Sequence, residues 1–154
     1  TQGEESLVLD RFADVLTDED HKARMDLLLY NGETSAALRV AKRPGGTNVK
    51  LAEARIAVIR RSRVAGTTLD KLPAEAKTDP GYILSRAQWN RRTGKIKEAA
   101  KLLLEANYEP EKLIDPDEWS LERRIVARDM VEEAVGGDTI DEAEIRSAYD
   151  LVSK

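Results

Sequence analysis

The sequence predicts an all-α fold, an α-superhelix (α–α solenoid) of stacked helical hairpins. Three observations predict it. Ala, Leu, Glu, Lys and Arg dominate the chain while aromatic residues make up only 5%, and those five types are good helix formers. Apolar residues recur at helical spacing along most of the 154 residues, and no stretch shows the alternation of a strand. Turn signals also recur, near Gly32, Ser62, Gly94 and Gly137. The first three fall near the ~34-residue period of tetratricopeptide-like helical pairs. The last is stretched by the 107–118 connection.

Each element carries its own start and stop. Glu5 to Leu16 places Leu7, Val8, Phe12, Val15 and Leu16 close to helical spacing. Thr17 offers an N-cap, with Asp18, Glu19 and Asp20 in the first turn, where acidic groups suit the helix dipole. That helix carries Met25, Leu28 and Leu29 and stops near Asn31-Gly32. The next holds Ala36, Ala37, Val40 and Ala41 and ends at Arg43-Pro44-Gly45-Gly46. Val49 to Arg61 and Val64 to Leu72 follow, the latter stopped by Pro73. Asp79 caps a helix whose first residue is Pro80, where the missing N–H costs nothing. It runs to about Arg92, turns at Thr93-Gly94 and returns as Ile96 to Ala106. After a connection, Asp115, Pro116 and Glu118 fill the N-cap, N1 and N3 positions of an Asp-type capping box. Ile114 and Trp119 stand where a hydrophobic staple would form, and the helix continues to about Ala134. Gly136-Gly137-Asp138 breaks it, and Thr139 with Glu142 can cap a last helix to Val152.

The hairpins therefore span roughly 18–43, 49–73, 80–106 and 116–152 of a single helical-repeat segment covering 1–154. Ala36-Ala37 and Ala99-Ala100 follow their turns closely, and such small residues let the second helix approach the first. The first and last helices are not polar on both faces, so the chain is expected to be a segment of a longer superhelix.

Composition excludes several functions. Hydrophobic residues make up 41%, charged residues 35%, and the net charge is −4, so a core is available and no basic footprint for nucleic acid exists. The absence of cysteine excludes a disulfide scaffold and a Cys-ligated zinc site. No apolar run approaches the ~18–20 residues that cross a bilayer. The polar, acidic start TQGEESLVLD is not a signal peptide, so a signal for export would lie outside this chain.

Chemistry-bearing motifs are few. His21, the only histidine, lies among Asp18, Glu19, Asp20 and Lys22 and reads as a solvated surface residue rather than a metal ligand. No Ser-His-Asp set assembles, and Pro44-Gly45-Gly46-Thr47 lacks the lysine spacing of a phosphate loop. No metal, cofactor or catalytic residue is expected. The many carboxylates read as helix-surface groups paired with Lys and Arg. Arg60-Arg61 and Arg91-Arg92 precede turns, where cations suit a helix C-terminus; Arg123-Arg124 lies early in its helix. Trp89, Arg91, Arg92, Trp119, Arg123 and Arg124 remain as candidates for glycan or partner contact, with hairpin packing as the alternative for Trp89.

Three tracts together resemble the N-terminal superhelical region of soluble lytic murein transglycosylases, notably the alphaproteobacterial type. They are DRFADVLTDEDHKARMDLLLYNGETSAALRVAKR, KTDPGYILSRAQWNRRTGKIKEAAKLLLEA, and DPDEWSLERRIVARDMVEEA with the later AYDLVS. Two departures stand out: Trp119 is followed by Ser120 where the family often has a second tryptophan, and VGGDTIDEAEIRSAYDL is longer than the usual turn. The resemblance implies a periplasmic enzyme that cleaves the MurNAc–GlcNAc bond of peptidoglycan and leaves a 1,6-anhydro end. One glutamate in a C-terminal lysozyme-like domain serves there as acid and base. The marks of that domain are a Glu-Ser pair with Gly-Leu-Met-Gln and Ala-Tyr-Asn-Ala-Gly tracts. Glu5-Ser6 stands alone and Ala148-Tyr149-Asp150 departs from the tract, so no catalytic residue carries over. The resemblance thus implies a non-catalytic scaffold whose partners are that domain and glycan strands. A stand-alone tetratricopeptide-like interaction module is the competing expectation.

Overall fold

The computed structural model describes residues 2–12, 15–136 and 140–153. Every regular element among them is helical. In chain order they are α1 (Gln2–Arg11), α2 (Asp18–Tyr30), α3 (Thr34–Ala41), α4 (Gly46–Ile59), α5 (Ala65–Asp70), α6 (Pro80–Arg92), α7 (Ile96–Glu105), α8 (Pro116–Val135) and α9 (Glu142–Val152). Short 3-10 turns, Ala74–Thr78 and Pro110–Lys112, fill the two longer connections.

The helices pack as hairpins: α2 with α3, α4 with α5, α6 with α7 and α8 with α9. The first helices form one layer, α2 against α4, α4 against α6 and α6 against α8. Each second helix also touches the first helix of the next hairpin. This is the predicted stack of helical hairpins. Its core falls into two clusters, one from Met25 to Tyr82 and one from Leu84 to Leu151, with Ile83 packed against both.

One turn geometry repeats. After α2, the Gly32 N–H donates to Leu29 O (3.1 Å) and the Glu33 N–H to Leu28 O (2.8 Å). After α6, Gly94 donates to Arg91 O (3.1 Å) and Lys95 to Asn90 O (2.9 Å). After α4, Arg61 donates to Val58 O (3.0 Å) and Ser62 to Ala57 O (2.8 Å). These are Schellman closures, which require a left-handed residue just past the helix. Gly32 (φ 76°) and Gly94 (φ 78°) supply it, and in the middle hairpin Arg61 takes it at φ 53°. At one common offset after each turn stands a small buried residue, Ala37, Gly66 or Ala99.

Capping follows the expectation in most places. Thr17 Oγ1 accepts the Asp20 N–H at 3.2 Å and the Asp20 carboxylate accepts the Thr17 N–H at 2.9 Å, closing a box. Asp79 accepts the N–H groups of Gly81 and Tyr82. Asp115 accepts that of Glu118 at 3.1 Å, which is one half of the expected box, without a return bond from the Asp115 N–H to the Glu118 side chain among the described residues.

Several expectations need correction. The first helix ends at Arg11 rather than Leu16, and Leu7, Val8, Phe12 and Val15 are exposed rather than packed inside. α4 begins at Gly46, ahead of Val49. The break at Gly137-Asp138 and the cap at Thr139 lie outside the described residues. The cap of α9 is Asp141, which accepts the N–H groups of Ala143 and Glu144. Ile114, expected to be covered as one half of a staple, stays 43% exposed, and the Trp119 ring meets Tyr108 edge-on. His21 is buried at 7% exposure, because it lies on the helical stripe of Met25, Leu28 and Leu29.

Candidate functional site

The six residues singled out from the sequence fall into separate settings. Arg91 is a joint between helices. Its Nε donates to Glu122 Oε1 at 2.6 Å and its Nη2 to Oε2 at 3.1 Å, a bidentate bridge from α6 to α8. Glu122 is 3% exposed. The hydrogen bond to Glu122 holds the Arg91 guanidinium above its ordinary value. This pair ties one hairpin to the next, so Arg91 is a structural residue rather than an open contact.

A second joint links the earlier hairpins. Asp26 on α2 pairs with both Lys22 and the buried Arg55 of α4. Lys22 reaches on to Asp79 at 2.8 Å, the N-cap of α6. Arg55 lies over the Tyr30 ring, 5.0 Å from its centroid. Gly81 makes the space, since a methyl group there would overlap the Arg55 guanidinium. Burial raises the Tyr30 hydroxyl above its ordinary value, against the opposing pull of Arg55.

Trp89 and Arg92 line a cavity of about 460 Å³ between the α4–α5 turn and the end of α6. Arg61, Ser62, Arg63 and Thr93 supply its polar wall, Val58 and Ala65 its apolar floor. Trp89 is partly buried against the first core cluster. A methyl group at Gly66 would overlap its six-membered ring, so that glycine marks a close approach of α5 to the indole. Arg86 and Lys95 lie over the same side chain, 4.9 and 5.2 Å from the ring centroid. Arg92 donates from Nη1 to Val58 O at 2.9 Å, capping α4 from a neighbouring helix. Partial burial lowers the Arg92 guanidinium below its ordinary value, and Arg91 and Arg61 add to the effect as like charges.

Trp119 and Arg123 stand in a third place. Trp119 is fully buried, and its Nε1 has no hydrogen-bond partner among the described residues. The Arg123 guanidinium lies 5.7 Å from the Trp119 ring centroid, and its Nε is likewise unpartnered. Burial alone lowers it. Arg123 lines a cavity of about 500 Å³ with Asn107, Tyr108, Glu109 and Lys112. Arg124 is exposed and lines neither cavity. The predicted set is therefore not one site.

Sequence reading missed Glu122, Arg61, Arg63 and Tyr108 as members of these settings. The signal for Arg61 was present, since it occupies the offset held by Gly32 and Gly94 in the other turns. Asp26 and Arg55 carried no local signal, because they meet only through hairpin stacking. Among the described residues no helix is long and apolar enough to cross a membrane, and no cluster of His, Asp and Glu could hold a metal ion. The chain matches no family model, no curated protein and no solved structure.

Proposed function

We propose that the chain is a non-catalytic superhelical scaffold segment of a periplasmic lytic transglycosylase that acts on peptidoglycan. One observation carries this reading: two of the three tracts that resemble such enzymes contain whole hairpins, and the third contains nearly all of α8 and the end of α9. Residues 10–43 contain α2 and α3, residues 77–106 contain α6 and α7, and the third tract covers α8 as far as Ala134 and then 148–153 at the end of α9. The exposed apolar residues of the terminal helices and of the turn after α1 support it as well. Leu7, Val8 and Phe12 at one end and Tyr149 and Val152 at the other offer surfaces on which further helices can stack. In this reading the scaffold frames a lysozyme-like domain of the same polypeptide, and its cavities face glycan strands or their peptides.

Two measurements test it. The purified chain incubated with murein sacculi is expected to release no 1,6-anhydro product; release by this chain alone overturns the scaffold role. The reading frame beyond Lys154 is expected to encode a lysozyme-like domain with Glu-Ser, Gly-Leu-Met-Gln and Ala-Tyr-Asn tracts. A stop codon there instead favours the free-standing interaction module.

A further inference from the structure

We propose that the cavity between the α4–α5 turn and the end of α6 binds an oxyanion, a carboxylate or a phosphate, carried on a small apolar body. The inference stands apart from the peptidoglycan reading, because it rests on charge, strain and shape at this one place.

Charge comes first. Arg61, Arg63 and Arg92 all line the cavity, and among the described residues no acidic side chain does. Among the described residues neither Arg61 nor Arg63 has an ion-pair partner, and Arg92 spends one donor on Val58 O. Glu122, the carboxylate that attracts Arg92, is already held bidentately by Arg91. The C-terminal ends of α4 and α6 both approach this point, and each is worth about half a negative charge. Against three guanidinium groups that leaves roughly two positive charges uncompensated. Helix capping therefore accounts for part of the cluster and not the rest. Guanidinium forks match carboxylate and phosphate oxygens in pairs.

Strain points the same way. Arg61 takes the left-handed position at φ 53° that its counterparts fill with glycine. A side chain there is unfavourable, and backbone strain that persists concentrates at functional places. Glycine would close the same turn without strain, so what Arg61 adds is its guanidinium at the cavity wall.

Shape sets the rest of the ligand. The volume of about 460 Å³ suits a small molecule or a peptide end. Trp89 provides the apolar surface beside the cations, where Val58 and Ala65 are themselves buried. The Ser62 and Thr93 hydroxyls line the same wall.

The test is a nitrogen-15 NMR titration of the whole chain at low ionic strength. Acetyl-alanyl-alanine, its C-terminal amide and inorganic phosphate are the three probes. The acid, phosphate or both should shift the Trp89 indole N–H and the Arg92 Nε–H saturably, while the amide and the buried Trp119 indole stay still. Response to the acid alone assigns a carboxylate, and to phosphate alone a phosphate. Arg61→Gly should weaken binding about tenfold or more while raising the melting temperature. Arg63→Gln should weaken binding with melting unchanged. Absence of saturation with both anions, equal response to the amide, or wild-type affinity in Arg61→Gly would overturn the assignment.

Discussion

Gly66 owes its identity to Trp89. The indole ring occupies the space where any Cβ at residue 66 would sit. Gly66→Ala should therefore displace the ring and cost about 1–3 kcal/mol. Trp→Ala at a fully buried position costs ~3–5 kcal/mol; Trp89 keeps part of its surface exposed, so about 2–3 kcal/mol is expected. The double variant Gly66→Ala/Trp89→Ala should unfold close to Trp89→Ala alone, because the clash disappears with the ring. Urea midpoints of the four proteins decide it, and additive losses would show that the two residues do not share the space. Tyr30 offers a pH-dependent counterpart. Its hydroxyl is raised above 10.0 by burial. Above that pH the unfolded chain loses this proton first, so the native state binds more protons and stability falls as pH rises. Tyr30→Phe keeps the ring beneath Arg55 and should flatten the alkaline loss. Tyr82 and Tyr108 are raised by burial too, so a residual slope remains. Urea unfolding of both proteins at a series of alkaline pH values measures the difference, and identical slopes would remove Tyr30 as its source.

At the scale of the element, the α6–α8 joint is asymmetric. The Glu122 side chain is 4% exposed while that of Arg91 keeps 19%. Removing the arginine strands the deeper charge. Arg91→Met should cost about 3–5 kcal/mol, the range for breaking a buried pair. Glu122→Gln leaves a hydrogen-bond acceptor and a cation that water can still reach, so about 1–2 kcal/mol is expected. Arg91→Met/Glu122→Leu should recover much of the larger loss, since an apolar pair of similar volume removes both desolvation costs. Thermal and urea unfolding of the three variants check the order; a Glu122→Gln loss as large as that of Arg91→Met would contradict it. Elements like these were readable because their signals are local. Asp79-Pro80, Asp115-Pro116 and Thr17 mark helix starts through short-range capping chemistry. Where the signal depended on burial it failed. The apolar spacing of Leu7, Val8, Phe12 and Val15 is real, yet those residues lie exposed on α1 and in the turn that follows. His21 failed in the opposite direction, since charged neighbours along the sequence say little about which stripe of α2 faces inward.

For the whole molecule, the stack of hairpins was legible from the spacing of turns, whereas the joints between hairpins were not. Asp26 with Arg55 and Arg91 with Glu122 are each separated by a full hairpin, so only the stacked register brings them together. The cavity with Trp89 and Arg92 was half legible, because Arg61 and Arg63 arrive from the preceding hairpin. Those joints also determine how the stack should open. Contacts in a helical-repeat stack run between neighbours, so its stability is a sum of local and nearest-neighbour terms. The two core clusters meet through Ile83, with one ion-pair joint on each side. Asp26→Asn should raise hydrogen exchange in α2 and α3 while α7 to α9 keep their protection. Arg91→Met should do the reverse, loosening α8 and α9 and sparing α2 to α4. Because the pairs share no partner, the double variant should lose the sum of the single losses within about 0.3–0.5 kcal/mol. A single cooperative core would behave differently: either substitution would raise exchange in every helix to the same extent. Residue-resolved exchange of the two single variants separates these outcomes. Uniform loss of protection would mean that Ile83 and its neighbours couple the clusters more tightly than the ion-pair joints do.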